Sequence, residues 1–143
     1  VLLEILNDNE YYKHDAPKSL GREFFENVQH KIIDESSLPV YDLLATATEH
    51  IAYQIAKSVD VIDKSKMLVT GGGAKNDFLI ERICALSKHE IIVPDVMITD
   101  YKEALIFAFL GVLKMEGKIN VLSSVTGASS DSSSGKIYQI ENQ

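Results

Sequence analysis

The run Met67-Leu68-Val69-Thr70-Gly71-Gly72-Gly73-Ala74-Lys75-Asn76 decides how the rest of the chain is read. A short apolar segment meets three consecutive glycines, and helical spacing follows through Leu79, Ile83 and Leu86. A strand that passes through a glycine turn into a helix sets bare backbone amides beside a positive helix N-terminus, which suits a phosphate or a nucleotide. Consecutive glycines tolerate positive φ and let a ligand come close to the main chain. Asn76 stands where it can cap the following helix or hydrogen-bond a ribose or a base edge. The run lacks the Lys-Ser/Thr of a P-loop and the GxGxxG of a dinucleotide site. By themselves the glycines leave two readings open, a phosphate cradle and a plain strand-to-helix reversal.

Outward from this turn, the pattern alternates between helix and strand. Residues 1–13 read as a short helix with Leu2, Leu3 and Leu6 on one side. Pro17 disfavours helix at Ala16, and Ser19 is placed to cap a helix over residues 20–33. Residues 38–59 carry the clearest helical period: Leu43, Leu44, Ala47, Ile51, Ile55 and Val59 form the expected core stripe, with Thr46, Glu49, His50, Gln54 and Lys57 on wet faces. Residues 66–70 read as a buried strand and 90–93 as a second strand, closed by Pro94 and Asp95. A strong helix is expected over 100–116, with Leu105, Ala108, Phe109, Val112 and Leu113 on one stripe and Gly117 as its stop. The Ser/Gly-rich stretch 123–135 reads as a flexible loop, and 136–140 as a last short strand. Helices interleaved with strands predict an α/β layer with parallel strands.

Composition narrows the function classes. A 143-residue chain fits one domain, and its net charge of -7 argues against sequence-independent nucleic-acid binding, which needs a basic face. The single cysteine, Cys84, excludes an internal disulfide framework and suits a reducing cytosol. No apolar run approaches the ~20 residues of a membrane span. The opening residues turn acidic within the first four, unlike a signal peptide, and begin with Val1, as a piece of a longer protein would.

Other residues carry two readings each. Asp100 and Glu103 have capping-box spacing, so Glu103 is expected to close a helix N-terminus. Lys18 and Arg22 suit either an anionic ligand or pairing with Glu23 and Glu26. His14, His30, His50 and His89 show no metal-ligand spacing, and His50 reads as a surface residue. Cys84, beside Ile83 and Leu86, reads as an inert core thiol. The pairs Tyr11-Tyr12 and Phe24-Phe25 read as core or lobe contacts.

Taken in order, PKSLGRE (17–23), MLVTGGGAKN (67–76), a strand ending in VPD (93–95), DYKEALIFAFLGVLKMEG (100–117) and SVTGAS (124–129) resemble the C-terminal lobe of the anhydro-N-acetylmuramic acid kinase family. The triple glycine is shared with many sugar kinases; the conjunction of elements is far more specific. The resemblance implies the sugar kinase/chaperone/actin superfamily. Residues 1–143 would then be an incomplete ribonuclease H-like (actin-like ATPase) lobe, its helices packed on a small mixed sheet. It further implies ATP and Mg2+ as cofactors, 1,6-anhydro-N-acetylmuramic acid as substrate, N-acetylmuramic acid 6-phosphate as product, and a cytoplasmic place in cell-wall recycling. The partner implied is an N-terminal lobe of the same protein; the surface that lobe would cover leaves self-association as a homodimer open, and neither nucleic acid nor membrane is expected.

Site residues carry over one at a time. Gly71, Gly72 and Gly73 match the family's nucleotide-side turn, with Asn76 just after it. Glu103 matches a glutamate that reaches the sugar. Thr126 and Gly127 match a tail element read here as structural. The family's GTSxDGxD-type phosphate loop and its aspartate general base have no counterpart in this chain. No catalytic base is assigned, and this chain alone is expected to be inactive. Two alternatives remain at this point: another sugar or acetate kinase relative, and a non-catalytic actin-like nucleotide-binding or assembly module.

Overall fold

The computed structural model describes residues 1–15 and 18–138, and the chain divides into two units, residues 1–94 and 95–143. Ala16 and Pro17 lie outside the described residues, and with them the reading of the turn at Pro17.

The first unit runs α1 (Leu2–Asn7), α2 (Glu10–Lys13), α3 (Arg22–Phe24), a π-helical turn (Phe25–Gln29), α4 (His30–Asp34), α5 (Val40–Val59), β1 (Lys66–Leu68), a 3-10 turn (Gly72–Lys75), α6 (Asp77–Leu86) and β2 (Glu90–Ile92). The helix expected over residues 1–13 is split, because Asn9 is extended and its side chain accepts the Tyr11 amide at 2.9 Å, opening α2 afresh. The next helical run begins after Gly21, so Ser19 is not its cap.

The strands β1 and β2 pair in parallel, with Lys66, Met67 and Leu68 opposite Glu90, Ile91 and Ile92, and α6 makes the crossover between them. Among the described residues this sheet has two strands and is parallel, not mixed. Residues 136–138 form no strand, and residues 139 and 140 lie outside the described ones, so the expected third strand does not form over its described part.

Helix α5 organises the unit, though only part of the stripe that periodicity predicts turns inward: Leu43, Ala47, Ile55 and Val59 are half-buried. Leu44 and Ile51 are 60% and 46% exposed, whereas His50, Ala52 and Ala56 are buried. Two flanks of the helix face inward instead. Glu49, Ala52 and Ala56 share the flank toward α6, where Arg82 makes a two-pronged pair with Glu49: Nε to Oε2 at 2.5 Å and Nη2 to Oε1 at 3.1 Å. His50 and Gln54 lie on the flank that meets α1, with both side chains bonded to Asn7. Polar residues on the partner helices reward a polar flank on α5, so the alternation of polar and apolar residues points the wrong way here. The packing of α1 on α4 and α5 buries Leu6, and the packing of α6 on α5 and β2 buries Ile83. These are the two largest side chains that are wholly buried among the described residues.

His89 fastens the end of α5 to the sheet. Its Nδ1 accepts from the Ser65 amide at 3.1 Å and hydroxyl at 3.2 Å, and its Nε2 donates to the Val59 carbonyl at 3.1 Å.

The second unit contains α7 (Val96–Met115) and α8 (Ser123–Thr126). Helix α7 starts four residues before the expected position. The Asp95 carboxylate accepts the Ile98 amide at 3.0 Å and caps it, while the β-branched Val96, Ile98 and Thr99 hide the first turn from propensity reasoning. It ends as expected at Gly117, which takes a left-handed φ of 68. Gly117 N donates to Lys114 O and Lys118 N to Leu113 O, the paired bonds of a Schellman stop. The predicted apolar stripe on α7 is not a buried one: Leu105 and Phe109 are 64% and 59% exposed. None of the described helices, α7 included, is long and apolar enough to cross a membrane.

The Ser/Gly-rich stretch is organised by side-chain caps. Val121 and Ser132 form an antiparallel bridge, and Asn120 bonds both the Ser134 amide and the Leu110 carbonyl. Asp131 accepts the amide and hydroxyl of Ser123, each at 2.7 Å, and these donors hold its carboxyl below the ordinary value.

Candidate functional site

The glycine run leaves β1 and bends sharply at Gly71, where φ is 84 and ψ is -175. That region is open to glycine alone, so the first glycine is dictated by the chain's own path. The 3-10 turn that follows closes with Ala74 N on Gly71 O at 3.0 Å and Asn76 N on Gly73 O at 3.1 Å. Ala74 is buried and anchors the turn, while Gly72 and Gly73 are exposed. Their two amides precede the first hydrogen bond of the turn and donate to no protein acceptor among the described residues.

Neither backbone angle nor local space demands a glycine at the second and third positions. Neither has positive φ. A Cβ on Gly72 would meet no atom within 4 Å, and one on Gly73 only Leu79 Cδ2 at 3.8 Å. Side chains would fit at both positions, and they would cover the free amides. A surface kept bare at no conformational need is what close approach of a ligand to the backbone requires.

Asn76 takes the capping role: its Oδ1 accepts the Leu79 amide at 3.1 Å and opens α6. The cap occupies the oxygen, while the amide nitrogen of the same side chain has no bond among the described residues. Glu103 belongs to the other unit. It lies inside α7, seven residues beyond Val96, and is exposed. The capping-box reading of Asp100 and Glu103 is therefore overturned, because Asp95 already caps a helix that starts upstream of both. Glu103 makes no hydrogen bond or ion pair among the described residues.

A family model described as "Anhydro-N-acetylmuramic acid kinase" matches residues 1–140 of the chain. The chain belongs to the anhydro-N-acetylmuramic acid kinase family. It is 32% identical to a protein of that name from Sulfurovum sp. (strain NBC37-1) and 34% identical to one from Actinobacillus pleuropneumoniae serotype 3 (strain JL03), over 96% of this chain in each case. A protein of the same name from Actinobacillus pleuropneumoniae serotype 7 (strain AP76) is also 34% identical. The chain spans 39% of the length of each of these relatives.

The remaining candidates in this member of the anhydro-N-acetylmuramic acid kinase family resolve locally. Lys18 turns its Nζ onto the carbonyls of Tyr11, Tyr12 and His14, at 3.3, 3.3 and 2.8 Å, and so caps the end of α2. Arg22 pairs with Glu26 one helical turn on. Thr126 bonds the Leu122 carbonyl, and Gly127 ends α8 at a φ of 72. Cys84 is exposed on α6, not in the core, because Ile83 occupies the inward position beside it.

His50 corrects the sequence reading most strongly. It is 4% exposed, and both ring nitrogens are engaged. Only contacts from residues far away in sequence bury it, so no local signal could have found it. No group of three or more His, Cys, Asp or Glu side chains is placed to hold a metal ion among the described residues.

Proposed function

We propose that this chain is the C-terminal, nucleotide-side part of an ATP-dependent carbohydrate kinase. That kinase opens the 1,6-anhydro bridge of anhydro-N-acetylmuramic acid with water and phosphorylates O6, giving N-acetylmuramic acid 6-phosphate and ADP. Membership of the family supports the substrate and the reaction, and the parallel β1–α6–β2 unit is what a ribonuclease H-like lobe would require. An N-terminal lobe would supply the remaining phosphate contacts and the general base, and the working place would be the cytoplasm.

The observation that carries the reading is the pair of free amides on a turn bare of side chains at Gly72 and Gly73. Such donors suit phosphate oxygens, and the Asn76 amide nitrogen, held by the cap, suits a ribose or base acceptor. ATP supplies the phosphoryl group when bound, and Mg2+ would neutralise its charge. Phosphoryl transfer rests on positioning and charge stabilisation, and this chain's share of that work is to hold and orient the nucleotide. The free carboxylate of Glu103 would accept hydrogen bonds from sugar hydroxyls or from the attacking water.

Two substitutions test this in a full-length kinase carrying the segment. Gly72→Ala adds a methyl group in open space at an ordinary backbone angle. It is expected to leave the unfolding midpoint unchanged while weakening ATP binding about tenfold, or ~1.4 kcal/mol, in calorimetric titration. Unchanged ATP affinity would return the turn to a plain reversal. Glu103→Ala is expected to lower kcat/KM for the anhydro sugar by about tenfold or more, with the KM for ATP unaltered. Unaltered sugar kinetics would remove Glu103 from the site.

A further inference from the structure

The His50 imidazole joins four elements of the first unit. From α1, Asn7 Oδ1 accepts its Nδ1–H at 2.7 Å; from α5 itself, Gln54 donates to the same oxygen at 3.1 Å. On the other side, Nε2 is met by the Tyr12 hydroxyl of α2 at 3.1 Å and by the Gln29 amide nitrogen of the π-helical turn at 2.9 Å. Gln29 also donates to the Tyr12 hydroxyl at 2.7 Å. These bonds are mutually consistent for one protonation state. The neutral ring donates from Nδ1 and accepts at Nε2, and a second proton on Nε2 would face an amide N–H.

We infer that His50 is an acid-sensitive latch: proton uptake at Nε2 releases α1, α2 and the π-helical turn from α5, while α5, α6 and the β1–β2 pair stay together. The holding contacts on the two sides of α5 differ in kind. Toward α6 they are a Glu49–Arg82 ion pair and buried alanines, which no proton near neutrality disturbs. Toward α1 and α2 the apolar packing of Leu6 is joined by polar contacts that converge on one titratable ring.

Charged groups on the packed elements do not compensate a protonated His50. Glu4 of α1 is exposed and makes no bond to the ring. Asp8 after α1 and Glu10 of α2 pair with Lys13. Glu26 of the π-helical turn pairs with Arg22. Asp34 of α4 pairs with His30, and Glu49 of α5 with Arg82. The one titratable group bonded to the ring is Tyr12, whose own ionisation burial pushes further up.

Burial also holds the imidazole below its ordinary pKa. With the folded value depressed, the stabilisation is complete above the unfolded value of about 6.5 and is lost as pH falls through the folded value. Acid opens the latch and neutral pH closes it.

Imidazole and amide NMR of a full-length kinase carrying this segment, titrated between about pH 8 and pH 5, tests the latch. His50 should keep the Nδ1–H tautomer as pH falls through the ordinary histidine value of about 6.5. As His50 then takes its proton, amide protection in α1, α2 and the π-helical turn should drop about tenfold, after correction for intrinsic exchange, while α6 and β2 keep theirs. Gln29→Met removes the donor aimed at Nε2 and should move that midpoint upward. His50→Gln should abolish the pH dependence, and if it fails to fold, the Gln29→Met midpoint decides. A His50 midpoint at or above the ordinary histidine value of about 6.5 would overturn the inference. So would constant protection while His50 titrates, the result if Gln29 merely turned its carbonyl to the new proton. Simultaneous loss of α6 and β2 would mean global unfolding, and would overturn it too.

Discussion

Replacing Ile83 with alanine is expected to cost about 3 kcal/mol of unfolding free energy. Ile83 is wholly buried where α6 packs on α5 and β2, and the substitution strips three heavy atoms from that contact. Only Leu6 matches it as a large, fully buried side chain among the described residues, so little other core remains to fill the space. The lost transfer free energy and the residual cavity add in the same direction. Urea unfolding followed by far-UV circular dichroism would read the change as a shift in midpoint at constant slope. Ile83→Val, which keeps most of the volume, should lose about 1 kcal/mol. An alanine variant no less stable than the valine variant would show that the space around Ile83 collapses freely, and that α6 is not held through it.

Gly71→Ala is the second large effect, and it acts on both fold and ligand. A Cβ at φ 84 and ψ -175 meets no neighbouring side chain, yet the backbone angles themselves exclude it. The expected cost is about 1–3 kcal/mol. The turn can relieve this strain only by moving φ to negative values, which re-aims the Gly72 and Gly73 amides. A full-length kinase carrying Gly71→Ala should therefore lose unfolding free energy and ATP affinity together, whereas Gly72→Ala should lose affinity alone. Equal stability for the two variants would refute the assignment of strain to Gly71.

The glycine turn shows how far local reading reaches. Its place between a strand and a helix, the cap at Asn76 and the stop at Gly117 were all legible, because each depends on a few neighbouring residues and on backbone angles. Local reading failed where two local signals competed. Asp100 with Glu103 has the spacing of a cap, but Asp95 lies upstream, follows a proline and captures the Ile98 amide first. The strand expected over 136–140 does not form over its described part for a different reason: alternation alone makes no strand without a partner, and residues 136–138 have none among the described residues.

Helix α5 marks the boundary between what sequence and tertiary structure each decide. Periodicity located the helix and its length. Of the stripe it assigned to the inward face, Leu43, Ala47, Ile55 and Val59 are half-buried but Leu44 and Ile51 are exposed, and His50, which it put outside, is buried. The inward face of a helix is chosen by whatever packs against it. Here that is Asn7, Tyr12 and Gln29 on one flank and Arg82 on the other, so polar side chains are drawn in and satisfied by hydrogen bonds.

By itself the sequence determined the order of the elements, the glycine turn and the resemblance to a kinase family. These are carried by contiguous residues and by the steric rules of the backbone. Only the tertiary structure decided which glycine the backbone path needs and which two it leaves exposed without conformational need, and that a histidine assigned to a wet face is the buried joint of the first unit. Such properties come from contacts between residues far apart in the chain, and no window of sequence contains them.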